Sequence, residues 1–61
     1  MPDYRLYCLD GANKITDAEW IDAQSDEDAI MIARSMKKSV SCELWLGNRL
    51  VAHIAAFLRT A

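Results

Sequence analysis

The chain has 61 residues, of which 52% are hydrophobic, and seven Lys and Arg against nine Asp and Glu give a net charge of −2. This length predicts one compact domain, residues 1–61, with a marginal core, because so short a chain buries only about 60% of its unfolded surface. The acidic balance disfavours nucleic acid as a partner, since such binding depends on neutralising phosphates. No apolar run approaches the roughly 20 residues of a membrane span.

The first two predicted elements are strands. Residues 4–9 alternate and are rich in aromatic and aliphatic side chains, which favours a strand, and residues 10–14 have turn chemistry. Residues 15–23 resume an extended pattern. One face of this second strand carries Ala18, Trp20 and Asp22, and the other carries Asp17, Glu19 and Ile21.

A helix is predicted to begin after Ser25, because the run Ser-Asp-Glu-Asp resembles a capping box and places three acids in the first turn. Lys37 and Lys38 are expected in its last turn, where the helix dipole favours cations. The helical spacing predicts one buried stripe flanked by Ile30, with Met31 on the opposite side. The stripe consists of Ala29, Ile32, Ala33 and Met36.

The closing hairpin turns at Gly47-Asn48, and its register decides which side chains share a face. A two-residue loop would pair Leu46 with Arg49 and mix apolar and charged groups on both faces. A three-residue loop that includes Leu46 avoids this mixture and is favoured. It places Cys42, Leu44, Leu50, Ala52 and Ile54 on one face, and Glu43, Trp45, Arg49, Val51 and His53 on the other.

A competing interpretation replaces the last strand with a helix over residues 49–60, since the apolar side chains there also fit a helical period. The strand is favoured because Gly47-Asn48 follows a clear strand. Residues 55–61 are expected to form a helical or flexible tail. The predicted fold is therefore α+β, a two-layer ββαββ arrangement with one helix on one face of a four-stranded, mainly antiparallel sheet.

Two segments, residues 4–11 (YRLYCLDG) and residues 43–52 (ELWLGNRLVA), resemble those of a set of short uncharacterised proteins from alphaproteobacteria. In that set, too, a capped helix with an acidic start lies between the segments. The resemblance covers the chain up to about Ala52 and implies a small, soluble bacterial protein. The set has no assigned activity, so the resemblance implies no site residue.

The cysteines and the single histidine do not form a recognisable site. Cys8 and Cys42 fall on the predicted core face and are expected to pack as free thiols, with no disulfide framework. Zinc would need about four ligands, and Cys42 and His53 project to opposite faces in the favoured register. His53 has only a diagonal Glu43 as a partner, so no catalytic residue, metal ligand or cofactor is assigned. The acids of residues 17–28 are interpreted as edge-strand and helix-start charges.

The sheet face away from the helix carries the predicted interaction surface: Arg5, Tyr7, Leu9, Trp45, Arg49, Val51 and His53. These residue types are common in protein interfaces, which favours a non-enzymatic module that forms a homodimer through this face or through an edge strand. One alternative is a single-stranded nucleic-acid binder that uses the sheet aromatics. Another is a small regulatory partner of a larger protein. Charges at Asp3 and Arg5 do not fit a signal peptide, so a cytoplasmic location is expected.

Overall fold

Four strands and one helix make up the structure, a computed structural model that describes residues 3–57. In chain order they are β1 (Asp3–Leu9), β2 (Ile15–Asp22), α1 (Asp26–Ser35), β3 (Cys42–Leu46) and β4 (Arg49–Ile54). The strands form one sheet in the order β2-β1-β3-β4, with every neighbouring pair antiparallel. The α+β fold with ββαββ order is confirmed.

The core lies between α1 and one face of the sheet. Alternate residues of β1 are buried, so that Leu6 is fully enclosed beside Leu44 of β3. The helix contributes Ala29 and Ala33, both buried. These small side chains let the helix axis approach the sheet closely, which matters in a chain with few large core residues. The opposite face of the sheet receives no covering element from the described residues.

The helix begins as predicted and ends earlier than predicted. The Ser25 side chain accepts a hydrogen bond from the Asp28 amide at 3.2 Å, as an N-cap does. The helix ends at its C-cap Met36, so Lys37 and Lys38 lie beyond the last turn, and Lys37 takes the left-handed φ of 52°. The predicted place of Ile32 in the buried stripe is wrong, because its side chain is 38% exposed.

The predicted three-residue hairpin loop is also wrong. Leu46 pairs with Arg49 across a two-residue loop, and Gly47 takes a φ of 60°, as a type II′ turn requires at its first central position. Trp45 pairs with Leu50 and Leu44 with Ala52, which leaves Val51 as an extra residue in a β-bulge. The bulge reverses the alternation within β4. The tight turn is thereby compatible with packing of the half-buried Ala52 and the buried Ile54 against the core.

The prediction of free core thiols is corrected by a disulfide between Cys8 and Cys42. The two residues lie directly opposite each other in β1 and β3, and both are buried as predicted. The sequence showed both on the core face, but it did not show that β1 and β3 are neighbours. The disulfide therefore links the two central strands of the sheet.

Residues 49–54 form β4, so the alternative helix over residues 49–60 is wrong at its start. Ala55 to Phe57 follow without regular structure, and the Phe57 amide donates to the Lys38 carbonyl at 2.7 Å. The rest of the predicted tail, residues 58–61, lies outside the described residues. Among residues 3–57, no helix has the length and apolar character needed to cross a membrane.

Candidate interaction surface

The sheet face opposite α1, called the open face below, presents two rows of side chains that run across all four strands. Strand pairing aligns Trp20, Arg5, Trp45 and Leu50 in the first row. It aligns Ala18, Tyr7, Glu43 and His53 in the second row. Directly opposed residues project to the same side of a sheet. The rows therefore form one continuous surface with aromatic side chains on three of the four strands.

Contacts within the rows hold several of these side chains in place. The Arg5 guanidinium lies 4.3 Å from the centre of the Trp20 ring and 5.7 Å from that of Tyr7. Both are cation–π distances. The Trp45 indole Nε1 donates a hydrogen bond to Glu43 Oε1 at 3.2 Å. The polar end of Trp45 is thus satisfied within its own chain.

Exposure on the open face is largest at the sheet edges. Trp20 on β2 is 67% exposed and Leu50 on β4 is 41% exposed, whereas Arg5, Tyr7 and Trp45 between them are half-buried. Large apolar side chains exposed together on a small monomer mark contact sites. The first row consequently offers an apolar strip with one cation near its centre.

Arg49 was predicted on this surface, and the structure places it on the helix side of the sheet. Its guanidinium donates two hydrogen bonds to Asp26, at 3.0 and 3.1 Å, and the Tyr4 hydroxyl donates to the same carboxylate at 2.7 Å. The hydrogen bonds from Arg49, and to a smaller extent the one from Tyr4, lower the pKa of Asp26. The bond to Asp26 raises the pKa of Tyr4. Arg49 therefore ties β4 to the start of α1.

The other predicted surface residues are distributed unevenly. Arg5, Tyr7, Trp45 and His53 come together on the two rows. Leu9 lies at the end of β1, where it lines a shallow depression with Val40 and Ala56 rather than either row. Val51 occupies the bulge and packs against the buried core, which the alternation of an unbroken strand could not predict.

Sequence reasoning missed Trp20 and Leu50 as members of this surface. The signal for Trp20 was present, since it alternates with Ala18 and Asp22 on one face of β2. What the sequence lacked was the register between β1 and β2 that sets Trp20 beside Arg5. Leu50 was assigned to the core face because the bulge that turns it outward has no mark in the sequence.

The acidic side chains of β2 have a structural partner. Lys38 forms ion pairs with Glu19 and, at 3.2 Å, with Asp17. Hydrogen bonds to Glu19 and Asp17 raise the pKa of Lys38, and the bond from Lys38 lowers the pKa of Asp17. Among residues 3–57 there is no group of three or more His, Cys, Asp or Glu side chains arranged to hold a metal ion.

Comparison of the chain with protein-family models, with curated proteins and with solved structures gives no match. The resemblance to short alphaproteobacterial proteins stays a prediction.

Proposed function

We propose that this protein is a non-enzymatic interaction module that forms a homodimer through the open face. The observation that carries the proposal is the first row, in which Trp20, Trp45 and Leu50 present apolar surface beside Arg5. Burying such surface stabilises association by about 25 cal/mol per Å². A second copy offers the same apolar strip.

The open face is complementary to the same face of a second copy. A two-fold axis parallel to the strands and between β1 and β3 would set β1 of one copy over β3 of the other. Arg5 would then face Trp45 of the second copy and Tyr7 would face Glu43, while Trp20 would face Leu50. These are a cation on an aromatic ring, a hydroxyl beside a carboxylate, and two apolar groups. Like charges do not meet, and each contact forms twice, as in isologous dimers.

The size of the open face sets the expected affinity. Four strands at about 4.8 Å and about six residues at about 3.3 Å give a flat area near 400 Å² per copy. Stable interfaces bury about 800 Å² per partner, and smaller ones belong to transient complexes. We therefore expect a dissociation constant in the micromolar range, so that the dimer forms and separates readily with concentration.

Sedimentation velocity across the micromolar range tests the proposal. Trp45→Ala should raise the dissociation constant by about thirtyfold or more, because central aromatic residues contribute about 2 kcal/mol or more when truncated. Met31→Ala is the matched control, since Met31 is 69% exposed on the helix and lies away from the open face. A wild-type protein that stays monomeric, or a dimer that is equally sensitive to both substitutions, would refute the proposal.

Single-stranded nucleic-acid binding is a second candidate, favoured by the aromatic row on a sheet. It loses support from the position of Arg49, whose guanidinium is paired with Asp26 rather than facing the aromatics. Tryptophan fluorescence titrated with a short oligonucleotide at low salt separates the two functions. Quenching that weakens as salt is added would favour nucleic acid. A larger protein as partner would instead be found by co-purification from the source cell.

A cytoplasmic location is also part of the proposal. Disulfides are rare in the cytosol because thiols there are kept reduced. Cys8 and Cys42 are each only 1% exposed, which limits attack on the bond by small thiols. Thiol labelling of the protein inside intact cells, compared with the purified protein, measures whether the bond exists in that compartment.

A further inference from the structure

A cleft of about 430 Å³ lies on the other side of the molecule, between the end of α1 and the segment that follows β4. Its floor includes the buried side chains of Ala33 and Ile54. The hydrogen bond from the Phe57 amide to the Lys38 carbonyl joins the two walls at one end. The cleft thus has an apolar floor, and of its lining residues His53 alone also belongs to the open face.

The walls of this cleft concentrate positive charge in an acidic protein. Arg34, Lys37 and Lys38 all line it, which is three of the seven Lys and Arg, and no Asp or Glu is among its lining residues. Lys38 is engaged by Asp17 and Glu19. Within the described residues, Arg34 and Lys37 enter no ion pair with a carboxylate. These two cations are therefore available to an anion inside the cleft.

Lys37 has a backbone conformation that residues other than glycine rarely adopt. Its φ of 52° is left-handed, and the position directly follows the C-cap Met36, where glycine is the favoured residue. The Lys37 ammonium lies 5.5 Å from the centre of the Phe57 ring, at the edge of the cleft. The chain thus carries a cation beside an aromatic ring at a position where glycine would be less strained.

We propose that this cleft binds a small organic anion, with Arg34 and Lys37 holding its carboxylate or phosphate and Phe57 contacting its flat apolar part. A carboxylate or phosphate pairs well with a guanidinium, which offers two parallel donors. The volume and the apolar floor suit a ligand about the size of a substituted benzene ring. Exposed cations bind weakly, so the dissociation constant should be on the order of 1 mM.

Phenyl phosphate, benzoate and inorganic phosphate, titrated separately into ¹⁵N-labelled protein, test this site. The two organic anions should shift the amide signals of Ala33, Ala55 and Phe57 in a saturable way. They should leave the Trp20 and Trp45 indole signals unchanged. Inorganic phosphate should bind more weakly because it lacks the apolar part, whereas equal binding of all three would refute an organic ligand.

Two substitutions separate binding from folding. Lys37→Gly relieves the left-handed backbone, so its melting temperature should be unchanged or higher, while binding of phenyl phosphate should weaken about threefold. With Arg34→Gln added, the loss should reach about tenfold. Lys14→Gln, an exposed change in the β1–β2 turn, is the charge-matched control and should bind like wild type. Equal losses in the control and in Lys37→Gly, or no saturable shifts at the cleft, would overturn the proposal.

Discussion

Reducing the disulfide between Cys8 and Cys42 should remove a large part of the stability of the fold. The two residues are 34 positions apart, and closing a loop of that size in the unfolded chain corresponds to about 3.8 kcal/mol in the chain-entropy account. A chain of this length is expected to be stable by about 3–9 kcal/mol in all. The reduced protein should therefore melt roughly 15–30 °C below the oxidised protein.

Urea unfolding of wild-type protein with and without a phosphine reductant measures the difference in stability without substituting any residue. A titration of free thiols in denaturant should find none before reduction and two afterwards. Equal urea midpoints for the two forms would refute the expected magnitude. Two reactive thiols in the unreduced, denatured protein would contradict the disulfide itself.

Three further changes test the helix cap, the salt bridge and the core. Ser25→Ala removes the side chain that accepts from Asp28 and should cost about 1 kcal/mol in urea unfolding, where no change would contradict the capping role. Arg49→Met should destabilise the protein at neutral pH, and this difference from wild type should shrink as pH falls below 3.8. The reason is that the stability from the lowered native pKa of Asp26 is complete above the ordinary value of 3.8 and is lost as pH falls through the native pKa. A difference that is constant from neutral to strongly acidic pH would contradict this assignment. Leu44→Ala should lower the free energy of unfolding by about 2–5 kcal/mol, because Leu44 is fully buried beneath the helix. A variant whose thermal unfolding, followed by circular dichroism, matches that of wild type would show that the core is misplaced.

The sequence was sufficient for elements whose signal is local. Ser25 and the acids after it marked the helix start, and alternation in residues 4–9 separated the buried side chains of β1 from the half-buried ones. The failures involve partners distant in the chain. Nothing in the alternation of β1 or β3 states that the two strands are neighbours, so the disulfide and the alignment of Arg5 with Trp45 could not be predicted.

The hairpin shows a second limit of sequence reasoning. Two local rules conflicted there, because a tight turn at Gly47 and an unbroken alternation cannot both hold. The three-residue loop kept the alternation and gave up the tight turn. The structure keeps the turn and interrupts the alternation at Val51, which sends Arg49 to the helix side and Leu50 to the open face. A bulge of this kind depends on how the whole strand packs, so the predicted faces of Arg49 and Leu50 were both wrong.

A concentration series of ¹H–¹⁵N spectra, from about 10 µM to about 1 mM, tests the homodimer through the open face most directly. We expect progressive shifts of the Trp20 and Trp45 indole signals and of the Tyr7 amide, while the amide of Met31 on the helix stays constant. Spectra that do not change with concentration, or changes confined to the helix side, would contradict it.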